Sequence, residues 1–480
     1  MMLEDYDAII IGGGPNGLSA AIHLQQKGLN TAIFELASEL GGSCRTEEST
    51  LPGFKHDTCS AIHPLAFGSP YFKTLPLEEH GLTWVHPEIP FAHPFADGDA
   101  YACFTSIEET ARQLGVDQSK YSDLFSEITG DWVEISKQIL GPINLSGDIL
   151  KLARFGAKAI LSAKFLADSY FKEEKTKMLF YGAAAHSALP LTNMASASFG
   201  LVLNTLAHTV GWPFPKGGAI QIIRALNSYY QSLGGKVYLD ELVTDIRELP
   251  IAKAVLLDLT PKQMLSLQGT QFSGLYRKSL SKYKYGAGVF KLDWALSEPI
   301  PFLNEKCRKA GTVHLGFSTD EIEASESLIH HSKTHQKPYV LLAQHSIFDP
   351  TRAPGGKHTA WAYCHVPNGC DADMTEAIED QIEKAAPGFK DCVLKRSSRT
   401  AVQMEMLNPN LIGGDINGGM QDITQMFTRP VCRFSPYSTP DRRIYICSSS
   451  TPPGGGVHGM NGYYASQQAI KDHFHYVLQN

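Results

Sequence analysis

Residues 6–35 read "YDAIIIGGGPNGLSAAIHLQQKGLNTAIFE", and this stretch decides the fold. Tyr6 to Ile11 is a near-continuous apolar run, the pattern of a central parallel strand covered on both faces. Gly12, Gly14 and Gly17 follow in G-x-G-x-x-G spacing, with Pro15 and Asn16 inside the turn. Leu18, Ala21, Ile22 and Leu24 open a helix that stops at Gly28; Thr31 to Phe34 is a second strand and Glu35 ends it. Each glycine has a physical task. Gly12 permits a tight turn, Gly14 lets a pyrophosphate approach the backbone beside a helix N-terminus, and Gly17 lets helix and strand pack closely. Glu35 is placed to accept hydrogen bonds from a ribose. Strand, turn, helix, strand and acid in this order predict a Rossmann-like dinucleotide-binding unit.

A second glycine turn, "ELGGSCRT", supplies Gly41, Gly42 and the cation Arg45. A third glycine cluster lies at the far end of the chain, in "SSSTPPGGGVHGMNGYYAS" (448–466). Glycine loses more backbone freedom on folding than any other residue, so such a triplet marks a place where something approaches the backbone. Between them, "GWPFPKGGAIQIIRALNSYYQSLGGKVYLDELVTDI" (211–246) predicts a helix opened by Gly217 and Gly218, closed by Gly234 and Gly235, and followed by a strand through Val243.

Three blocks carry a family resemblance. "GFKHDTCSAIHPL" (53–65) resembles the segment after the second glycine turn in flavin-dependent desaturases and amine oxidases. "DPTRAPGGKHTAWAYCHVP" (349–367) resembles the D-P-x-x-A-P stretch and following strand of desaturases. "IYICSSSTPPGGGVHGMNGYYAS" (444–466) is similar to the closing motif of phytoene desaturase-like flavoproteins, here with Thr451, Pro453, Gly454, Gly456 and Gly459. Ser449 stands where amine oxidases end the strand in aspartate, which leans toward the desaturase branch. The resemblance implies FAD as cofactor. It places Val243 against the adenine, and Ser449, Gly455, Gly456, Val457 and His458 near the ribityl and isoalloxazine portion.

The implied architecture is α/β: a Rossmann-like FAD-binding domain of the glutathione reductase type with an inserted mixed α+β substrate domain. Its parts are expected at 1–70, 211–260 and 426–480 for the FAD domain, at 71–210 for a helix-rich cap, and at 261–425 for the substrate sheet. In the cap, Ser106 and Glu109 have capping-box spacing. The implied activity is hydride transfer from an apolar, lipid- or polyene-like small molecule to flavin N5, with reoxidation by oxygen, a quinone or another acceptor. The alternatives are a flavin amine oxidase and a non-catalytic FAD-binding protein.

Candidate chemistry beyond the glycines rests on few residues. Lys291 lies where amine oxidases place a lysine that holds a water against the flavin, and the other reading is a strand lysine. His458 falls in the flavin-facing loop. His63, Trp361 and Tyr363 are candidate substrate-cavity residues, each with a plain core reading beside it. His330, His331 and His335 lack an accompanying carboxylate or thiol pattern, so no metal site is expected.

A net charge of -7 argues against a nucleic-acid partner. Nine cysteines without a C-x-x-C pair argue against a disulfide framework and for a reducing, cytoplasmic setting. The N-terminus carries acids where a secretory signal carries bases, and no apolar run approaches about 18 residues, the length of a membrane span. The basic amphipathic segment 148–171, with Lys151, Arg154, Lys158 and Lys164, reads as a cap over the substrate cavity, and peripheral membrane contact is its alternative. Oligomeric state has no sequence signature here.

Overall fold

A computed structural model describes residues 5–142 and 148–475. The strand Tyr6–Ile11 has parallel neighbours on both sides, with Ala8 opposite Ala254 on one and Thr31 on the other. The sheet runs in the order Ile444–Ile446, Ala252–Leu257, Tyr6–Ile11, Thr31–Phe34, Lys236–Tyr238, all parallel. Its strands therefore come from three separated stretches of chain. The unbroken apolar run has its explanation in two covered faces. Ala8, Ile10 and Ile33 pack with Leu18, Ile22, Ile223 and Ile470 of the helices Pro15–Gln26, Ile220–Ser232 and Met460–His473. Ile9 and Phe34 pack on the opposite side.

Local chemistry starts and stops these helices. Pro15 takes the first helical position, where its missing N–H costs no intrahelical bond, and Gly28 at φ +77° follows the last turn. The final helix touches the first one directly: a Cβ on Gly462 would stand 1.9 Å from the carbonyl oxygen of Asn16. Only glycine permits that approach.

The second sheet has seven strands, ordered Val393–Arg399, Gly288–Leu296, His358–Val366, Val340–Ala343, Ala310–Leu315, Ile89–Pro94, Ala100–Cys103. One face, with Phe91, Leu341, Trp361 and Tyr363, packs toward a helical layer that includes Gln118–Ile139, Glu174–Ala184 and Ser196–Thr209. The other face buries Phe290, Trp294, Val313 and Leu342 with Ile378 and Ile382 of the helix Thr375–Ala385. Two strands of this sheet, Ile89–Pro94 and Ala100–Cys103, lie inside 71–210, where the sequence predicts a helix-rich cap. Pro90 and Pro94 in Ile89–Pro94 weaken the sequence signal of that strand. Ser106 does cap its helix, its Oγ accepting the Glu109 N–H at 3.1 Å.

A buried ion cluster joins the two sheets' surroundings. Arg352 donates to Asp57 at 2.9 Å and to Asp349 at 3.3 Å. Asp57 in turn accepts the Ala219 N–H at 2.8 Å, and Asp349 accepts the Gly217 N–H at 2.6 Å. The D-P-x-R-A-P stretch is thus the clamp on the glycine-opened helix start.

Segment 148–171 forms the helices Ile149–Ala159 and Ala163–Tyr170. Three of its four bases are paired: Lys151 with Asp131, Lys158 with Glu127, Lys164 with Glu323. Its exposed side chains include Arg154 and the apolar Leu150, 71% exposed, and Phe165, 59% exposed. Among the described residues no helix is long and apolar enough to cross a membrane, and no metal-ligating cluster occurs. His330 faces the Ala188 carbonyl and His335 lies against the Lys337 backbone.

Candidate functional site

A cavity of about 670 Å³ begins at the first glycine turn and ends against the second sheet. Gly12, Gly14, Pro15, Asn16, Glu35, Gly42, Arg45 and Val243 stand on its wall at the glycine end. Gly17 lies behind the wall. A Cβ there would meet the Gly12 carbonyl oxygen at 2.0 Å, so this glycine closes the turn rather than touching a ligand. Gly41, at φ +138° and crowded by Arg45 Cγ, is also off the wall. Glu35 accepts the N–H groups of Gly13 at 2.6 Å and Ala37 at 2.9 Å, and its remaining lone pairs are free for a hydroxyl. Val243 reaches the wall without the strand expected to carry it. That strand ends at Tyr238, and Asp240 at φ +56° turns the chain, its N–H bonded to Ala37.

The C-terminal cluster meets the first one here. Asn16 donates to Ser449 Oγ at 3.4 Å across 433 residues, and Ser449, Gly456 and Val457 share the cavity wall. Gly454, Gly456 and Gly459 adopt φ of +107°, +129° and +70°, backbone that residues with a Cβ rarely adopt. Gly455 serves packing instead: its Cβ would lie 2.8 Å from the Asn417 carbonyl oxygen. His458 is likewise not on the wall, contrary to expectation. It is 1% exposed, its Nδ1 accepts the Met460 N–H at 3.1 Å, and its carbonyl accepts the Ser69 hydroxyl at 2.7 Å. Burial lowers its pKa to about 4, which keeps the ring neutral in that capping role.

These residues fit FAD. The glycines leave the cradle free of side chains, the helix N-terminus at Pro15 faces it, and among the described residues the wall atoms Arg45 Nε and Asn16 Oδ1 beside it are sealed in without partners. Asp258, an acid with no motif around it in the sequence, also lies on the wall and accepts the Gly17 N–H at 3.1 Å. Burial pushes its carboxyl up to about 7. The Gly17 and Gly14 N–H groups oppose the rise, and the Glu35 charge adds to it.

The inner half of the cavity is built from the helical layer and the second sheet. His63, Trp361 and Tyr363 stand there beside Leu203, Trp212 and Leu341. The Trp361 Nε1–H is sealed in without an acceptor among the described residues. Burial lowers the His63 pKa to about 4. Lys291 is the cross-strand neighbour of Tyr363 but is not on the wall. It is 2% exposed, its ammonium is bonded to Asp293, and Asp293 also takes the Ser49 hydroxyl and lies 3.7 Å from His56. Burial pulls the Lys291 pKa down while Asp293 holds it up. A further wall residue, His186, has no local sequence signature. Its meaning depends on His314, 128 positions away, at 3.0 Å.

The family model of the NAD(P)-binding Rossmann-like domain matches residues 10–75. The chain is 27% identical to mouse (Mus musculus) pyridine nucleotide-disulfide oxidoreductase domain-containing protein 2, covering 98% of this chain and 94% of that protein. It is 22% identical to the lycopene-forming phytoene desaturase of a Paracoccus species, covering 95% of each. The solved structure of a putrescine oxidase with bound putrescine superposes with a TM-score of 0.63 at 15% identity, covering 98% of this chain and 99% of that one. The split glycine cradle and the relatives that match end to end make this chain an FAD-dependent oxidoreductase, and its fold is the one it shares with the putrescine oxidase.

Proposed function

We propose that the chain removes a hydride from a carbon of an uncharged, predominantly apolar small molecule, in the manner of a desaturase or dehydrogenase. The wall of the inner cavity carries this reading. Ile62, Leu65, Leu203, Trp212, Leu341 and Leu411 line it with Trp361 and Tyr363, whereas the charged wall residues Glu35, Arg45, Glu241 and Asp258 all come from the segments of the dinucleotide end. A concave, largely apolar pocket with few polar groups is what a small apolar ligand requires.

In this reading Gly12, Gly14 and the helix start at Pro15 hold the pyrophosphate, Glu35 a ribose and Val243 the adenine. Ser449, Gly456 and Val457 hold the ribityl and ring portion. Bound FAD supplies a two-electron centre that accepts hydride, and oxygen, a quinone or another acceptor takes the electrons onward. The protein's part is orientation and exclusion of water. The aromatic pair Trp361 and Tyr363, ring centroids 5.3 Å apart and edge to face, fixes one side of the substrate space. His458 maintains the loop that carries Gly456 and Val457, and Lys291 with Asp293 supports the sheet behind Trp361. A protonated amine would meet no carboxylate in the inner half, which favours the desaturase reading over an amine oxidase.

Anaerobic titration of the FAD-loaded protein tests this. A monocyclic terpene or short polyene is expected to bleach the flavin absorbance while primary amines leave it unchanged. Bleaching by amines alone, or by none of these compounds, would overturn the proposal.

A further inference from the structure

His186 and His314 form a pair that the proposed chemistry does not use. His186 sits in the short turn Ala185–Ser187 after the helix Glu174–Ala184, and His314 on the strand Ala310–Leu315 behind it. Their Nε2 atoms are 3.0 Å apart, so one ring donates to the other. His186 is on the cavity wall, and His314 is fully buried.

The surroundings decide which ring donates. His314 Nδ1 is sealed in and has no partner among the described residues. Around the ring lie Phe91, Trp212 and Tyr339, with centroids 5.1, 5.8 and 5.9 Å away, and Gly182, whose missing Cβ leaves room for it. A sealed N–H without an acceptor costs more than a bare lone pair, so the His314 proton belongs on Nε2. His93 shows the same solution: its Nε2 faces the Gly316 carbonyl at 2.8 Å and carries the proton, leaving Nδ1 bare and unpartnered. His314 Nε2–H then donates to His186 Nε2, and the His186 proton resides on Nδ1, the nitrogen left for a molecule in the cavity. Glu326, buried in the helix Thr319–Leu328, is engaged with His365 at 2.7 Å. Burial, with the His365 charge, lowers His186 to about 3, and burial, with His186 and His93, lowers His314 well below its ordinary value, so the pair is neutral at ordinary pH.

We propose that His186 is a substrate-contacting residue whose Nδ1–H donates to a carbonyl or hydroxyl oxygen on an otherwise apolar substrate, with His314 as the positioning residue that fixes its tautomer. The inference rests on the reading of the inner cavity as an apolar-substrate site. It adds the chemical class: an oxygen-bearing terpenoid or polyene rather than a pure hydrocarbon.

The test compares a monocyclic terpene hydrocarbon with the ketone of the same carbon skeleton, binding to FAD-loaded protein, read by quenching of tryptophan fluorescence from Trp212 and Trp361. The ketone is expected to bind about tenfold more tightly, the worth of one added hydrogen bond. His186→Phe should abolish that preference and leave hydrocarbon affinity within about threefold. His314→Leu should lose most of the preference, and His314→Gln, which keeps an N–H donor, should restore it. Equal weakening of both ligands in His186→Phe would reduce the residue to packing and overturn the proposal. Wild-type protein that binds both ligands equally would overturn the donor assignment while the apolar cavity stands. Wild-type protein that binds neither would overturn both.

Discussion

Replacing Arg352 by Met should destabilise the protein by about 3–5 kcal/mol, the usual cost of leaving a buried charge without its partner. Arg352 is fully buried between Asp57 and Asp349. Burial alone would raise the Asp57 pKa; Arg352 and His345 outweigh it and lower the carboxyl from 3.8 to about 2. Such a depression is worth roughly 2 kcal/mol at neutral pH. Because the folded value is the lower one, that stability is present above about pH 4 and is lost as pH falls toward 2. In Arg352→Met the sign reverses: two buried carboxylates lack a cation, so the deficit is largest near neutrality and shrinks as acid protonates them. His345, 3.8 Å from Asp57, compensates in part. Urea unfolding of wild type, Arg352→Met and Arg352→Met/Asp57→Asn, with FAD saturating, measures this at about pH 7 and pH 4.5. The double variant should recover part of the loss. A deficit below about 1 kcal/mol, or one independent of pH, would refute the reasoning.

Gly17→Ala should weaken FAD binding by about tenfold to a hundredfold, since its Cβ must displace the Gly12 carbonyl oxygen 2.0 Å away; flavin fluorescence quenching reads the affinity. Asp258→Asn should flatten the pH dependence of both FAD affinity and melting temperature. The folded protein favours the protonated acid, so the wild-type contribution is complete below about pH 3.8 and is lost as pH rises through about 7; a slope that survives the substitution excludes Asp258 as its source. Lys291→Met should cost about 3–5 kcal/mol of stability by stranding Asp293, with the rate of flavin reduction changed less than about threefold; unchanged stability with slowed reduction would place Lys291 in the chemistry.

What the sequence made legible follows from how local each constraint is. Gly12, Gly17, Gly454 and Gly456 are readable because each answers a backbone demand that no other residue meets. Glu35 is readable from its place after a strand. The strand expected through Val243 failed because Asp240, a residue with a Cβ, takes the left-handed turn. Ile89–Pro94 was hidden by its prolines, and its partner Ala310–Leu315 is more than 200 residues away. His458 was placed correctly in the loop, yet the Met460 amide engages its ring. Asp258 looks like an ordinary acid after "AVLL" until the fold sets it against Gly14 and Gly17. The His186–His314 pair exists only through tertiary packing.

The central claim is that two glycine clusters from opposite ends of the chain hold one FAD against an apolar cavity. The most direct measurement is the visible absorption spectrum of the purified protein after incubation with FAD and gel filtration, followed by identification of the chromophore that heat denaturation releases. The account predicts a flavin spectrum and FAD as the released species, at about one per chain. A colourless protein that retains no flavin would contradict it.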